Sequence, residues 1–138
     1  ALPICPGQIV GYPIIRLKNG NDVVGFVREL EKALIDICAE FKIAAERYCE
    51  RSGVWIRDRQ GDRKIAAIGL RVARGVTMHG FALNVAPDLS YFDRIVPCGI
   101  ADAAVTSLAA ELGREITSEE VMPVLERHMF EALQRSMR

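Results

Sequence analysis

Cys98, set between Pro97 and Gly99 in the string PCGI, is the residue of this chain best suited to nucleophilic chemistry. The thiolate is the reactive form of a cysteine, a following glycine lets a ligand come close to the backbone, and N–H groups of such a loop can face an oxyanion. A small buried hydrophobe is the plain alternative for a cysteine in a loop. Lys64 opens the apolar string RKIAAIG, where its ammonium, brought close to a thiol, would favour the thiolate. Taken alone it equally suits a strand-end lysine whose stem lies on apolar surface and whose head reaches water. His79, in TMHGFALN, has the ring of a general base or of a hydrogen-bonded structural histidine beside Met78 and Phe81. His128 sits among charged residues and is expected to face solvent. The four cysteines, Cys5, Cys38, Cys49 and Cys98, contain no CxxC pair and are joined by two histidines, which is not a zinc pattern. They are read as free thiols of a reducing, cytoplasmic compartment, Cys38 on the apolar face of a helix and Cys49 in a strand or turn, both inert.

The elements that must position these groups fit in one domain, since the chain has 138 residues of which 50% are hydrophobic. Eighteen Lys and Arg balance eighteen Asp and Glu at a pI near 7.0, which argues against the basic field of a nucleic-acid binder. Charged residues interrupt every apolar run before the roughly 18 residues of a membrane span. The start ALPICPGQIV lacks a basic stretch and is read as no signal peptide.

Gln8 to Ile15 is β-branched and aromatic, a strand made irregular by Gly11 and Pro13. From Asp22 to about Phe41 apolar residues recur at three and four, with Arg28, Glu29, Glu31, Lys32, Asp36 and Glu40 between them. That spacing predicts an amphipathic helix capped by Asn21 or Asp22. Short extended segments are expected at 44–48 and 53–57, the second carrying the single tryptophan, Trp55. The apolar runs 64–74 and 76–85 read as an antiparallel pair joined at Gly75, with Gly69 and Gly80 inside the strands. One helical turn is expected at 90–94 and a helix from Val105 to Leu112, stopped by Gly113. A capping box, Thr117 with Glu120, opens a last helix to about Arg135, which Pro123 should delay or bend. The order indicates an α+β (or α/β-like) domain with a mixed sheet.

Six strings then carry a resemblance: PGQIVGYPI (6–14), RSGVW (51–55), KIAAIGLRV (64–72), TMHGFALNV (77–85), FDRIVPCGI (92–100) and VTSL (105–108). Together and in this order they resemble the lipoyl(octanoyl) transferases, enzymes similar in fold to the biotin and lipoate protein ligases. The resemblance implies an octanoyl-acyl carrier protein as donor. The acceptors it implies are lysines of lipoyl domains, in 2-oxoacid dehydrogenase E2 subunits and the glycine cleavage H protein. It implies no cofactor, no metal, no nucleic acid and no membrane. It assigns Cys98 as the acyl-thioester nucleophile and Lys64 as its dyad partner. Ala67, Ile68 and Gly69, with Gly80, Phe81 and Ala82, would line the acyl pocket, supported by His79 and by Gly99, a candidate for the oxyanion hole.

Against the family pattern Ile4 stands where a histidine is expected, Cys5 where a glycine is expected, and an RGG segment is missing. Residues 1–138 are therefore expected to form a single lipoyl(octanoyl) transferase catalytic domain that is N-terminally incomplete, its first strand-helix part absent and its activity weakened. Two other readings stay open: an inactive relative that only binds partners, and an ATP-dependent lipoate or biotin ligase, whose acyl-adenylate chemistry has no need of a cysteine. Because the implied partners are acidic, Arg57, Arg59, Arg63, Arg71 and Arg74 are expected to form a local basic surface around Lys64.

Overall fold

The apolar residues spaced at three and four from Val23 wind into a single helix, and the runs on either side of Gly75 pair as a long hairpin. Its turn residues Arg74 and Gly75 both have positive φ, 53° and 78°, as a tight two-residue connection between twisted strands requires. Around these two units the computed structural model, which describes residues 6–48, 51–88 and 104–137, assembles the remaining elements. They are β1 (Gln8–Gly11), α1 (Val23–Glu40), β2 (Glu46–Tyr48), β3 (Arg51–Asp58), β4 (Gly61–Ala73), β5 (Val76–Asn84), β6 (Ala104–Val105), α2 (Leu108–Leu112) and α3 (Ser118–Ser136). The sheet order is β1-β5-β4-β3-β2 with every neighbour antiparallel. β6 joins β4 in parallel at Arg63 and Lys64, on the edge β5 vacates after its pair Leu83–Ala66. One short parallel strand thus makes the α+β sheet mixed, and α1 packs on both the sheet and α3.

The core lies between that helical layer and one sheet face. Leu30, Leu34 and Ile37 of α1 are fully buried against Val54, Ile65, Ala66, Leu83 and, from α3, Val121 and Ala132. Each large aliphatic chain so removed from water contributes about 1.5–3 kcal/mol. Glu31, which the helix pattern assigns to solvent, is buried instead, because Arg47 donates to it from 3.1 Å. Asp22, not Asn21, caps α1 by accepting the Gly25 N–H at 3.0 Å.

Three boundaries depart from the local sequence pattern. The first strand ends at Gly11 rather than Ile15, because residues 11–13 cross over β5. Val105, expected to open a helix, is strand together with Ala104, since β4 offers them an open edge; α2 begins at Leu108, capped by Ser107, and ends at left-handed Gly113. α3 runs through Pro123 from its N-cap Thr117, whose hydroxyl accepts the Glu120 N–H at 3.2 Å. The Glu120 carboxylate does not need to close the box, since Arg114 holds it at 2.9 Å. The turn expected at 90–94, with Cys5 and Cys49, lies outside the described residues. No helix among the described residues is long and apolar enough to cross a membrane.

Cys38 is fully buried on α1, and burial pushes its thiol up to about 12. Iodoacetamide at pH 8 is therefore expected to leave Cys38 unmodified in the native protein and to label it fully in denaturant, read by peptide mass mapping. Native labelling of Cys38 would mean that this face of α1 opens readily.

Candidate active site

Between the pairs Val54–Ala66 and Trp55–Lys64 the register slips, so that two steps along β4 match one along β3. Such a bulge re-aims side chains. Ile65 and Ala66 both enter the core under the helices, while Lys64 turns to the opposite face, directly across from Trp55. Lys64 is 8% exposed and Trp55 1%, and the ammonium nitrogen stands 5.0 Å from the indole centroid, within cation–π range. Gly53 makes room for this arrangement. Its φ is +104°, and a Cβ there would stand 2.6 Å from the Ala66 carbonyl oxygen and 3.4 Å from Lys64 Cε. The Gly53 N–H donates to Glu31 of α1, whose carboxyl burial pushes up while Arg47 and this N–H oppose the shift.

The other side of Lys64 is closed by the chain that returns through β6. Thr106 donates its N–H to the Lys64 carbonyl at 2.9 Å, and its own carbonyl accepts from Asn84 Nδ2 at 3.0 Å. Its hydroxyl donates to Glu111 Oε2 at 3.0 Å. Glu111 Oε1 takes Arg63 at 2.6 Å, and Arg63 also donates to both oxygens of Asp58. Asn84 Oδ1 accepts from Gln8 Nε2 at 2.7 Å, tying β1 to the same network. A buried lysine thus sits on an aromatic floor, with its backbone pinned on both sides; that arrangement can hold and move a proton at one fixed point.

A family model described as the lipoyl protein ligase A/B catalytic domain matches residues 1–130. The chain belongs to this family. It is similar to an octanoyltransferase of Salinispora tropica, 64% identical over 126 residues that cover 90% of this chain and 59% of the relative. An octanoyltransferase of Mycolicibacterium gilvum is 56% identical over 130 residues, covering 93% of this chain and 55% of the relative. The chain thus spans little more than half the length of these relatives. Among solved structures it is similar to the biotin protein ligase of Aquifex aeolicus, with TM-score 0.69, 16% identity, and 94% and 54% of the two chains covered. A bi-partite lipoate protein ligase of Thermoplasma acidophilum gives TM-score 0.70 and 18% identity, covering 94% and 52%. These likenesses show that the lipoyl protein ligase fold is the one adopted here.

Within this lipoyl protein ligase domain, the residues singled out from the sequence divide between two faces. Strand alternation puts Ala67 and Gly69, paired with Ala82 and Gly80, on the face of Lys64 and Trp55. The side chains of Ile68 and Phe81 belong instead to the core cluster on the opposite face. The glycine at 80 has its own cause: a Cβ there would meet the Gly11 carbonyl oxygen at 2.0 Å and Pro13 Cδ at 2.6 Å, so the crossing chain fills the space. His79 is exposed with φ 63°, not packed beside Met78 and Phe81. His128 is half-buried, its Nε2 3.0 Å from Glu40 Oε2, which joins α3 to α1. Cys98 and Gly99 lie outside the described residues.

Of the five arginines expected to form a basic surface, Arg59, Arg71 and Arg74 are exposed, while Arg57 and Arg63 are engaged by carboxylates. Arg63 is mostly buried between Asp58 and Glu111, which hold its guanidinium well above its ordinary value. Arg57 is engaged by Asp62 at 3.3 Å and Glu46 at 3.5 Å. Gly53, Trp55 and Thr106 join the site only through tertiary pairing: each lies in a string that carries the family resemblance, RSGVW or VTSL, and the β3–β4 register slip brings Gly53 and Trp55 to Lys64, the parallel β6–β4 pairing Thr106.

Proposed function

We propose that this domain performs the acyl transfer of an octanoyltransferase, with Cys98 as nucleophile and Lys64 as its proton partner. The observation that carries the reading is the seat of Lys64, buried on Trp55 and hydrogen-bonded through its carbonyl to Thr106, eight positions after Cys98 in the chain. Ala104, six positions after Cys98, pairs beside Arg63, and six residues span at most about 20 Å. The similarity to octanoyltransferases supports the same assignment.

In the first half-reaction the Cys98 thiolate attacks the octanoyl thioester carbonyl of the acyl carrier protein, and the C–S bond to pantetheine breaks. Protonated Lys64 gives its proton to the leaving sulfur and is left neutral. In the second, the amine of a lipoyl-domain lysine attacks the Cys98 thioester and gives its proton to Lys64, which restores thiolate and ammonium. The Gly99 N–H is assigned to the oxyanion. Ala67, Gly69 and Ala82, small residues on the Lys64 face, leave room for the acyl chain, worth about 0.8 kcal/mol per buried CH₂. The acceptors are lipoyl domains of 2-oxoacid dehydrogenase E2 subunits and the glycine cleavage H protein, in the cytoplasm. No step needs a cofactor.

Incubation with octanoyl-acyl carrier protein, followed by intact and peptide mass, tests the reading. One octanoyl group, labile to hydroxylamine and located on Cys98, is the expected result. No adduct, or an adduct on another residue, overturns it.

A further inference from the structure

On the Lys64 face, cations and rings form a continuous row. Arg51 pairs across the sheet with Tyr48, its guanidinium carbon 4.9 Å from the Tyr48 centroid and 5.6 Å from that of Trp55. The two rings meet edge to face at 5.9 Å, and the Trp55 ring also carries the Lys64 ammonium. Laid end to end through the shared indole, the ring distances put Arg51 no more than about 11 Å from the Lys64 nitrogen. The neighbouring arginines are already neutralised: Arg57, also over Tyr48 at 4.1 Å, by Asp62 and Glu46, and Arg63 by Asp58 and Glu111. Among the described residues no carboxylate pairs with Arg51. A guanidinium held over aromatic faces is pre-organised, and its fork of N–H donors matches a carboxylate in a bidentate pair.

We propose that Arg51, held on Tyr48 and Trp55, is a docking site for an acidic side chain of the acceptor protein, one or two positions from the lysine that is to be acylated. The proposal rests on the acyl-transfer reading and extends it to acceptor selection. Adjacent Cα atoms are 3.8 Å apart, so a carboxylate that close in sequence to the target lysine falls within the span between Arg51 and Lys64. The donor's phosphate is a poorer fit, since about a dozen bonds of pantetheine separate it from the reacting sulfur. Opposite charges across such a contact set the encounter rate and the choice of partner.

The test compares wild type, Arg51→Gln and Arg51→Lys in transfer to a lipoyl domain and to a variant of that domain whose acidic residues flanking the target lysine are replaced by amides. Arg51→Gln is expected to raise KM for the acidic acceptor about tenfold at low salt, with kcat and the donor KM unchanged, and to abolish most of its salt dependence. Arg51→Lys restores part of the loss. The amidated acceptor already shows the higher KM and is not weakened further by Arg51→Gln, the non-additivity expected of a direct pair. A raised donor KM, or equal losses with both acceptors, overturns the proposal. Calorimetric binding of the acceptor domain alone, wild type against Arg51→Gln, separates the two readings. Arg51-dependent binding without any transfer removes the catalytic reading and leaves this one, whereas transfer and binding both indifferent to Arg51 do the reverse.

Discussion

Lys64→Met is expected to lower octanoyl transfer by about 10²–10⁴-fold, the range for losing a positioned proton donor and acceptor. Methionine follows the course of the lysine stem past Gly53 and can lie against the Trp55 ring, so the change removes the ammonium while filling its space. Stability should stay within roughly 1.5 kcal/mol of wild type, as for a volume-conserving exchange. Lys64→Arg is not expected to rescue activity, because a guanidinium stays protonated and cannot take the proton of the acceptor amine. Both variants are measured by steady-state transfer, with circular dichroism to show that the fold is kept. A folded Lys64→Met protein with the wild-type rate would remove Lys64 from the mechanism.

Gly53→Ala should damage both the fold and the site, and Gly61→Ala separates the two causes. The two glycines have nearly the same positive φ, +104° and +107°, so alanine is strained at either, by about 1–3 kcal/mol. They differ in surroundings. Nothing lies within 4 Å of a Cβ at 61, whereas at 53 the methyl group meets the Ala66 carbonyl oxygen at 2.6 Å and Lys64 Cε at 3.4 Å. The backbone oxygen belongs to β4 beside the register slip and cannot withdraw without disturbing the Val54–Ala66 pair. Gly61→Ala is therefore expected to lower Tm by roughly 3–10 °C with transfer intact. Gly53→Ala should lower Tm by more and reduce transfer at least about tenfold, the loss expected when a reacting group is misplaced. Equal effects at the two positions would show that strain alone matters and that Gly53 has no part in seating Lys64.

Several arginines show how far local patterns reach. Five of them cluster in the sequence around Lys64, which reads as a basic surface, yet Asp58, Asp62, Glu46 and Glu111 take up Arg57 and Arg63. Glu111 comes from a helix 48 positions away from Arg63, a distance at which no spacing rule operates. Arg51, which the cluster leaves out, is brought to the site through the β2–β3 pairing and the ring of Trp55.

What depends on neighbours a few positions apart was legible in the sequence: the apolar stripe of α1, the hairpin about Gly75, the stop of α2 at Gly113 and the N-cap Thr117, with the α1 cap narrowed to Asn21 or Asp22. Its strings also determined the family and named Lys64 and Cys98. The tertiary structure decided what depends on register and crossing. A one-residue slip aims Lys64 at Trp55 and leaves Ile65 and Ala66 together in the core. The passage of residues 11–13 over β5 requires glycine at 80, and the open edge of β4 turns Ala104 and Val105 into strand. The physical reason is the period of two in a strand: each pairing shift by a single residue exchanges the faces, and the pairing partner lies far away along the chain.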